Sequence, residues 1–316
     1  MLKLIVRRLA WLAFTLLGVS FLCFCLSHLS PGETGDMLLR QSGGVTSSES
    51  AQRFRQSLGL DDPLLVRYGR WLSHAARLDF GESFATGEPV GREMLRRLPA
   101  TLKLTVAAFS LMLVLSLVIG VTSGLRPGGI FDHATRMVCT ILVALPNYWL
   151  GMLLLFLFAV HWKVFSVVGG TGLKDLVLPA ITLALGMSAF YGRMVRERLL
   201  EVMSQDYIRT AQAKGLPLGV VLYRHALLNA IIPLLNLWGM SFGFLLGGSL
   251  LVETIFSWPG VASFAVQAVL SRDYPVTQCY VVFMAVIFTG SNLVVDLLQT
   301  LADPKLRRRA VQEGGA

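Results

Sequence analysis

Residues 102–124 read LKLTVAAFSLMLVLSLVIGVTSG, and this apolar run with a single charge, Lys103, decides the fold. A helix needs roughly 20 apolar residues to cross the hydrocarbon core of a bilayer. Stretches of the same kind lie on both sides of it, at residues 9–29, 137–160, 176–192, 230–252 and 278–300. A helix satisfies its own backbone hydrogen bonds in lipid. The sequence therefore predicts an all-α polytopic membrane protein with about six transmembrane helices.

The composition agrees with this class. The chain is 54% hydrophobic and its mean hydropathy is +0.63, which is too apolar for a soluble protein of 316 residues. The formal net charge is +9. Nothing in the sequence combines this charge with the aromatic or basic groove that nucleic-acid binding needs. We expect the bilayer, and no nucleic acid, as a partner.

The distribution of Lys and Arg predicts the orientation, because cytoplasmic loops carry the excess of these residues. The cationic segments are the N-terminus, the loop at 126–136, the loop at 193–224 and the tail at 305–309. The short loops on the other side hold only Lys163, Lys174 and Arg272. Both termini are therefore expected in the cytoplasm. The first apolar stretch lacks a small-residue cleavage site and is expected to stay as a helix.

The segment 31–100 is expected to form a helical cap on the periplasmic face. Asp61 or Asp62 can cap a helix that starts at Pro63, since proline suits a first helical turn. Leu64, Leu65, Tyr68, Trp71, Leu72 and Ala75 would form its apolar face. The predicted organisation is an N-terminal transmembrane helix at 1–30, this cap at 31–100, a transmembrane core at 101–305 and a basic cytoplasmic tail at 306–316.

The loop at 193–229, between two spans, is long for a membrane protein and has the build of a short surface helix. Ser204 or Asp206 can accept hydrogen bonds from the first turn. Gly215 can take the left-handed conformation that ends a helix, and Pro217 prevents its continuation. The apolar stripe is Tyr207, Ile208 and Ala211, with Arg209, Gln212 and Lys214 beside it. The pattern predicts a helix that docks into a partner protein or lies on the bilayer surface.

Polar residues inside the predicted spans are candidates for a translocation path with a hinge, because they are costly in lipid unless they face the bundle interior. The polar residues are Asn147, Asn236, Glu253 and Asp296, and Pro146 is the candidate hinge. Pro146 can kink the third helix. The same residues can also serve as interhelical hydrogen-bonding groups.

An intramembrane serine protease is the remote alternative, because Gly239-Met-Ser241-Phe-Gly243 matches a nucleophile pattern. Such an enzyme needs a base near Ser241, and the histidines lie at span ends or in loops. The glycines at 239, 243 and 247 also fit close helix packing. The sequence has neither a His-Glu-x-x-His motif nor a phosphate-binding loop. We expect no catalytic residue, no metal ligand and no bound cofactor in this chain.

Several motifs together resemble the permeases of bacterial ABC importers in the dipeptide, oligopeptide and nickel family. The loop motif Arg209-Thr-Ala-Gln-Ala-Lys-Gly215 is followed by Arg224-His-Ala-Leu-Leu-Asn229, with Arg209 and Thr210 in place of the usual Glu and Ala. Further matching stretches are Gly59–Leu64, Asp79–Phe84, Leu98–Leu102, Pro146-Asn147, Glu253–Gly260, Arg272–Pro275 and Asp303-Pro304. The resemblance covers nearly the whole chain.

This resemblance implies a larger working unit in the bacterial inner membrane. Its other parts would be a second homologous permease, two cytoplasmic ATPase subunits that use ATP, and a periplasmic substrate-binding protein. The helix around Tyr207 to Gly215 would be the coupling helix that sits in a cleft of an ATPase. Three stretches of sequence resemble the nickel permeases most: Ser83–Thr86, Arg272–Cys279 and the stretch from Asn292 to Asp296. The expected substrate is therefore nickel, free, chelated or bound to a metallophore, with di- or oligopeptides as the alternative.

Overall fold

The computed structural model describes residues 2–29, 62–167 and 169–302 of the chain. Almost every described residue in secondary structure is helical, apart from one isolated β-bridge between Glu82 and Pro89. The helices are α1 (Leu2–Leu29), α2 (Leu64–Ala75), α3 (Val90–Leu125), α4 (Ile130–Ala144), α5 (Asn147–Leu155), α6 (Leu173–Met203), α7 (Asp206–Ala213), α8 (Leu218–Val220), α9 (Leu227–Ile255), α10 (Val261–Leu270) and α11 (Tyr274–Ala302). Wider π-helical turns follow α5 at Phe156–His161 and α8 at Val221–Ala226.

The predicted class is confirmed. Within the described ranges, five helical stretches are long and apolar enough to cross a membrane, or six if the bent pair α4–α5 is counted as one span. Two of the five, Leu218–Leu235 and Leu237–Ile255, lie in the continuous helical run that ends in α9. The first predicted span corresponds to α1, which has 28 residues.

The third predicted span, 137–160, is bent at Pro146, where the sequence predicts a possible kink. The chain bends by 103° between α4 and the stretch Asn147–His161. Leu145 and Pro146 at the corner are both extended, with ψ of 129° and 135°. A proline disfavours the helical conformation of the residue before it, so the break falls at Leu145. Asn147 therefore begins α5, at the corner of this bent pair.

The fourth predicted span, 176–192, was too short. The helix α6 has 31 residues and passes through Pro179 without ending. Asp175 Oδ2 accepts a hydrogen bond of 3.1 Å from the Gly172 backbone N–H just before the helix, which helps to fix its start. Hydropathy misses the second half of α6, because Arg193, Arg196 and Arg198 lower the average there.

The chain divides into two compact units, and the first comprises 100–263 with the end of α11 from 288. In it α6 packs against α4, α5 and α9. Two apolar clusters hold these helices. One is built on Leu104, Leu183, Leu245, Val252 and Trp258, and the other on Met112, Ala184, Val195, Leu234 and Trp238. Both clusters pack residues of α6 against α3 and the α9 region.

The second unit comprises 2–99 and 264–287. Here α2 packs on α1 through an aromatic group of Phe21, Phe24, Tyr68 and Trp71. The Tyr68 hydroxyl also donates to the Leu17 carbonyl at 3.2 Å. The helix predicted to start at Pro63 is thus confirmed. Its predicted cap is not, because no side chain caps it and Asp62 pairs with Arg70 at 2.7 Å.

A loop after α2 is fixed by carboxylates of the same unit. Ser83 Oγ and the Ala85 N–H both donate to Asp273 Oδ2, at 2.6 and 3.2 Å. The exposed Asp79 accepts from the Gly81 N–H at 3.1 Å and hydrogen-bonds His74. These contacts lower the pKa of Asp79 below its usual range. Residues 30–61, which include the first part of the predicted cap at 31–100, and the tail from 303 lie outside the described residues.

Candidate functional site

The loop at 193–229 forms the short helix that the sequence predicts. After α6 ends at Met203, α7 runs from Asp206 to Ala213. Gly215 has a φ of +77°, the left-handed region in which glycine is favoured. Its N–H donates to the Gln212 carbonyl at 2.9 Å, which closes the last turn. The predicted stop at Gly215 is confirmed, and Pro217 directly precedes α8.

The predicted N-terminal cap of α7 is wrong. Gln205 occupies the capping position and no side chain caps the helix. Ser204 Oγ instead donates to the Glu201 carbonyl at 2.7 Å and so belongs to the end of α6. Asp206 is the first helical residue and pairs with Arg209 at 3.5 Å, with both side chains exposed. A carboxylate in a first turn still favours the helix, because it faces the positive end of the helix dipole.

The apolar stripe of α7 faces its own chain. Ile208 is fully buried and Ala211 is 7% exposed. They pack in a cluster with residues from the end of α6 and the start of the α9 region, namely Leu199, Val221, Ala226 and Ala230. Two of the three residues of the predicted stripe are therefore occupied by intramolecular contacts, whereas the third, Tyr207, is exposed. Ile208 and Ala211 fix α7 to both neighbouring helices, so these elements form one block.

A different surface of the block is exposed. Tyr207 is 44% exposed, and its hydroxyl accepts a hydrogen bond from Asn229 Nδ2 at 3.3 Å. Arg209 and Lys214 are also exposed. Apolar and aromatic side chains continue this surface after Gly215: Leu216, Leu218 and Tyr223 are 38%, 57% and 75% exposed. We call Tyr207, Leu216, Leu218 and Tyr223 the loop surface.

The sequence reasoning missed a buried ion pair that ties α4 to α6. Asp132 is fully buried, and Arg196 Nε and Nη2 donate to its two carboxylate oxygens at 2.7 and 2.6 Å. Ser123 Oγ and the Gly128 N–H donate to the same carboxylate. Arg196 was counted only as a loop cation. An acidic residue in the first turn of a helix that continues into an apolar run is the available signal for a partner.

Glu253 was a candidate for the translocation path, and the structure places it at a helix corner. Its carboxyl oxygens accept from Thr101 Oγ1 at 2.8 Å, Ser249 Oγ at 3.2 Å and the Ser263 N–H at 2.9 Å. Ser263 lies in the first turn of α10, whose free N–H groups need acceptors. A Cβ on Gly260 would overlap the carboxyl group, so a larger residue there would have to displace the Glu253 side chain. The side chain therefore joins α3, α9 and the start of α10.

Of the remaining predicted path residues, the structure describes the side chains of Pro146 and Asn147. Pro146 and Asn147 are exposed at the corner between α4 and α5. A Cβ on Gly186 would lie 3.3 Å from Asn147 Oδ1, so α6 approaches this corner closely. The side chains of Asn236 and Asp296 lie outside the described residues.

In the part of the chain that the structure describes, the hydrogen-bond partners of Ser241 include no group that could act as a base. Its hydroxyl donates to the Tyr191 hydroxyl and hydrogen-bonds the Leu237 carbonyl at 2.8 Å. A Cβ on Gly243 would lie 2.8 Å from Phe288, as close helix packing predicts, whereas Gly247 faces open space. Among the residues that the structure describes, no group of three or more His, Cys, Asp or Glu side chains could hold a metal ion.

Comparison with known protein families shows to which family the chain belongs. Residues 116–308 match the family described as the inner membrane component of binding-protein-dependent transport systems, and residues 1–105 match the N-terminal membrane component of the same systems. The chain belongs to this family. The predicted resemblance to ABC importer permeases is thus confirmed, and the protein is a multi-pass inner membrane component of a transport system.

Relatives of the permease extend over nearly its whole length. A putative peptide transport system permease of Brucella abortus is 37% identical over 315 residues, which cover 97% of this chain and 99% of the relative. The di/tripeptide permease DppB of Pseudomonas aeruginosa is 36% identical, covering 98% and 100%. The metal-staphylopine import permease CntB of Staphylococcus aureus is 33% identical, also covering 98% and 100%.

A solved structure supports the permease fold. An inward-facing MetNI methionine ABC transporter matches with a TM-score of 0.57 and 20% identity, over 67% of this chain and 96% of that one. At this identity the likeness concerns the fold alone.

Proposed function

We propose that this permease and a second homologous permease form the translocation path of an ABC importer, driven by two partner ATPases. The observation that carries the proposal is the packing of α7 between the end of α6 and the start of the α9 region, through Ile208 and Ala211. A force applied to the loop surface would reach two long helices at once. ATP would be hydrolysed by the partners, and a periplasmic binding protein would deliver the substrate.

In this proposal the ATPase docks on the loop surface and not on the buried stripe. Tyr207, Leu216, Leu218 and Tyr223 expose apolar area beside Arg209 and Lys214. Aromatic residues and arginine are enriched where proteins bind each other. The partner face would therefore combine an apolar cleft with acidic side chains.

A docking experiment tests this assignment. A cysteine at Tyr207 should cross-link to the ATPase in the assembled transporter, whereas Tyr207→Ala should lower ATP-driven uptake without changing the amount of inserted protein. Thr210→Ala is the matched control on the same short helix. Normal uptake by Tyr207→Ala, with no cross-link, would remove the docking surface from the proposal.

For the substrate, we propose small peptides, with a chelated metal as the second candidate. Relatives named as peptide permeases at 36–37% identity favour the first. The relative named for metal-staphylopine import favours the second, which includes the nickel expected from the sequence. A metal that travels inside a chelate resembles a small peptide in size and polarity, so one path could suit both.

Uptake in cells carrying the complete transporter separates the two substrates. Labelled dipeptide and labelled nickel are supplied with and without this chain, and each is challenged with an excess of the other or with a chelator. We expect dipeptide uptake that requires the chain and that unlabelled peptide suppresses. Chain-dependent nickel uptake that ignores dipeptide would assign the permease to metal import.

A further inference from the structure

A groove of about 570 Å³ lies in the second unit, between α1 and the α10–α11 corner. Its wall on α1 is formed by residues spaced three and four apart, which share one helix face. They are Val19, Leu22, Cys23 and Leu26. The opposite wall contains Val269 of α10 and Tyr274, Thr277 and Val281 of α11. Arg272 lies in the short connection between α10 and α11.

The groove changes from apolar to charged at the helix corner. Arg272 lies two residues before Tyr274, the first residue of the membrane helix α11. The neighbouring Asp273 is buried and its carboxylate accepts from Ser83 and the Ala85 N–H. Arginine and tyrosine at the end of a membrane helix are typical of the level of lipid headgroups.

The backbone shows that arginine is an unexpected choice at this position. Arg272 has a φ of +58°. Its N–H donates to the Val269 carbonyl at 3.2 Å, and the Asp273 N–H donates to the Ala268 carbonyl at 2.7 Å. This pair of bonds ends α10 in a Schellman motif, where glycine normally takes the left-handed position. A side chain kept at a strained position is a reason to look for its function.

We propose that this groove binds one anionic phospholipid of the surrounding bilayer. The phosphate lies at Arg272, and one acyl chain follows the face of Val19, Leu22 and Leu26. Leu22 and Leu26 are 62% and 67% exposed, so the chain would cover apolar surface that α1 leaves open. Charge complementarity between a phosphate and a guanidinium selects the headgroup. The site is independent of which substrate the permease carries.

The test uses the complete purified transporter and a phosphatidylglycerol with a photoactivatable acyl chain. After illumination, labelled peptides are identified by mass spectrometry. We expect label in 19–26 and 277–281. Arg272→Gly should reduce it about tenfold at a fixed lipid concentration, because the charge-assisted contact is lost. Glycine suits the left-handed backbone, so this variant should fold at least as well as the natural protein.

Two matched controls keep the result specific. Lys163 is an exposed cation at a φ of +53° in another loop, so Lys163→Gly makes the same change away from the groove and should leave the label unchanged. Leu22→Trp should fill the groove and lower the label while the charge stays. Leu17→Trp alters an exposed residue of the same helix outside the groove and should have no effect.

Three results would overturn the proposal. They are unchanged labelling in Arg272→Gly, equal labelling by phosphatidylethanolamine that does not depend on Arg272, and labelling confined to other segments. The readout is binding and not uptake. A failed transport experiment would therefore leave this test unaffected.

Discussion

Arg196 and Asp132 form a bidentate pair whose carboxylate is fully buried. Removing charges from water costs several kcal/mol per ion, and the attraction between them offsets this cost only when the geometry is good. Here Ser123 and Gly128 supply further hydrogen bonds to the carboxylate. The pair therefore contributes mainly by making any arrangement that separates α4 from α6 expensive.

Arg196→Ala should destabilise the permease by about 3–5 kcal/mol, because it leaves an unpaired carboxylate in the interior. Thermal or denaturant unfolding in detergent measures the change. Arg198→Ala is the control: it removes a neighbouring arginine that is 47% exposed and pairs with Glu201, and exposed pairs of this kind contribute about 0–1 kcal/mol. Replacing both partners, with Asp132→Leu and Arg196→Met, should recover most of the loss. Similar stability of Arg196→Ala and Arg198→Ala would contradict the argument that the buried pair is the more important one.

Ser241→Ala should leave transport intact and cost about 0.5–1.5 kcal/mol, the usual contribution of one hydrogen bond. The Tyr191 hydroxyl keeps a partner in that variant, because it also donates to the Leu237 carbonyl at 3.2 Å. Uptake normalised to inserted protein is the measurement. Complete loss of uptake with normal expression would mean that the hydroxyl reacts, as the protease alternative requires.

Single residues could be predicted from the sequence only where the local backbone determines their role. Gly215 was identified correctly because a helix end needs a left-handed residue. For Glu253 the sequence left two roles open, since its partners Thr101 and Ser263 come from other helices, one of them 152 residues away. The Asp132–Arg196 pair escaped notice for the same reason. A carboxyl group in an apolar sequence shows that a partner is needed but does not identify it.

At the scale of helices, hydropathy found the spans because the bilayer imposes their length. It could not find the 103° corner after α4, where Pro146 shows a break but not its angle. It also found the apolar stripe of α7, but Ile208 and Ala211 of that stripe face their own chain and neither a partner nor the bilayer. The stripe of Ile208 and Ala211 would look the same to a partner protein and to α6. Which of the two it contacts is decided by tertiary packing.

The end of α7 gives a test of coupling at this scale. Gly215→Pro should abolish uptake while the protein still inserts, because proline cannot reach a φ of +77° and removes the N–H that bonds Gln212. Gly219→Pro is the control a few residues on. It lies in the first turn of α8, where proline is tolerated, and a side chain there meets nothing within 4 Å. Deletion of 206–216 should behave like Gly215→Pro.

Uptake and membrane insertion are measured for both variants, together with the ATPase rate of the assembled transporter. We expect Gly215→Pro to leave insertion unchanged and to separate ATP hydrolysis from uptake. Normal uptake by a stably inserted Gly215→Pro would show that the helix end is not needed for coupling. Equal loss in Gly219→Pro would indicate general damage to the loop.

For the whole molecule, the block of α6, α7 and the α9 region is the part of the permease that a bound partner ATPase could displace. Long helices transmit a displacement because their packed side chains leave few intermediate arrangements. A ligand or partner shifts such an equilibrium only by binding one state more tightly. In the proposed importer the closed ATPase pair would bind one arrangement of this block better than the other.

The permease expressed alone should therefore insert into the membrane but transport no substrate. Vesicles containing only this chain are compared with vesicles that also contain the second permease, the ATPases and the binding protein, each supplied with labelled dipeptide and ATP. We expect uptake only in the complete set. ATP-independent uptake by the chain alone would show that it works as a channel or secondary transporter.

The ion pair between α4 and α6 also has a consequence for biosynthesis. Asp132 and Arg196 are 64 residues apart, and ribosomes add about 5–20 residues per second. The acidic side chain therefore emerges roughly 3–13 s before the guanidinium that neutralises it, and α4 reaches its final position only after α6 has been made. Synonymous codons in that interval set how long the unfinished chain remains in this state. They can alter the yield of inserted permease while every contact of the finished molecule stays the same.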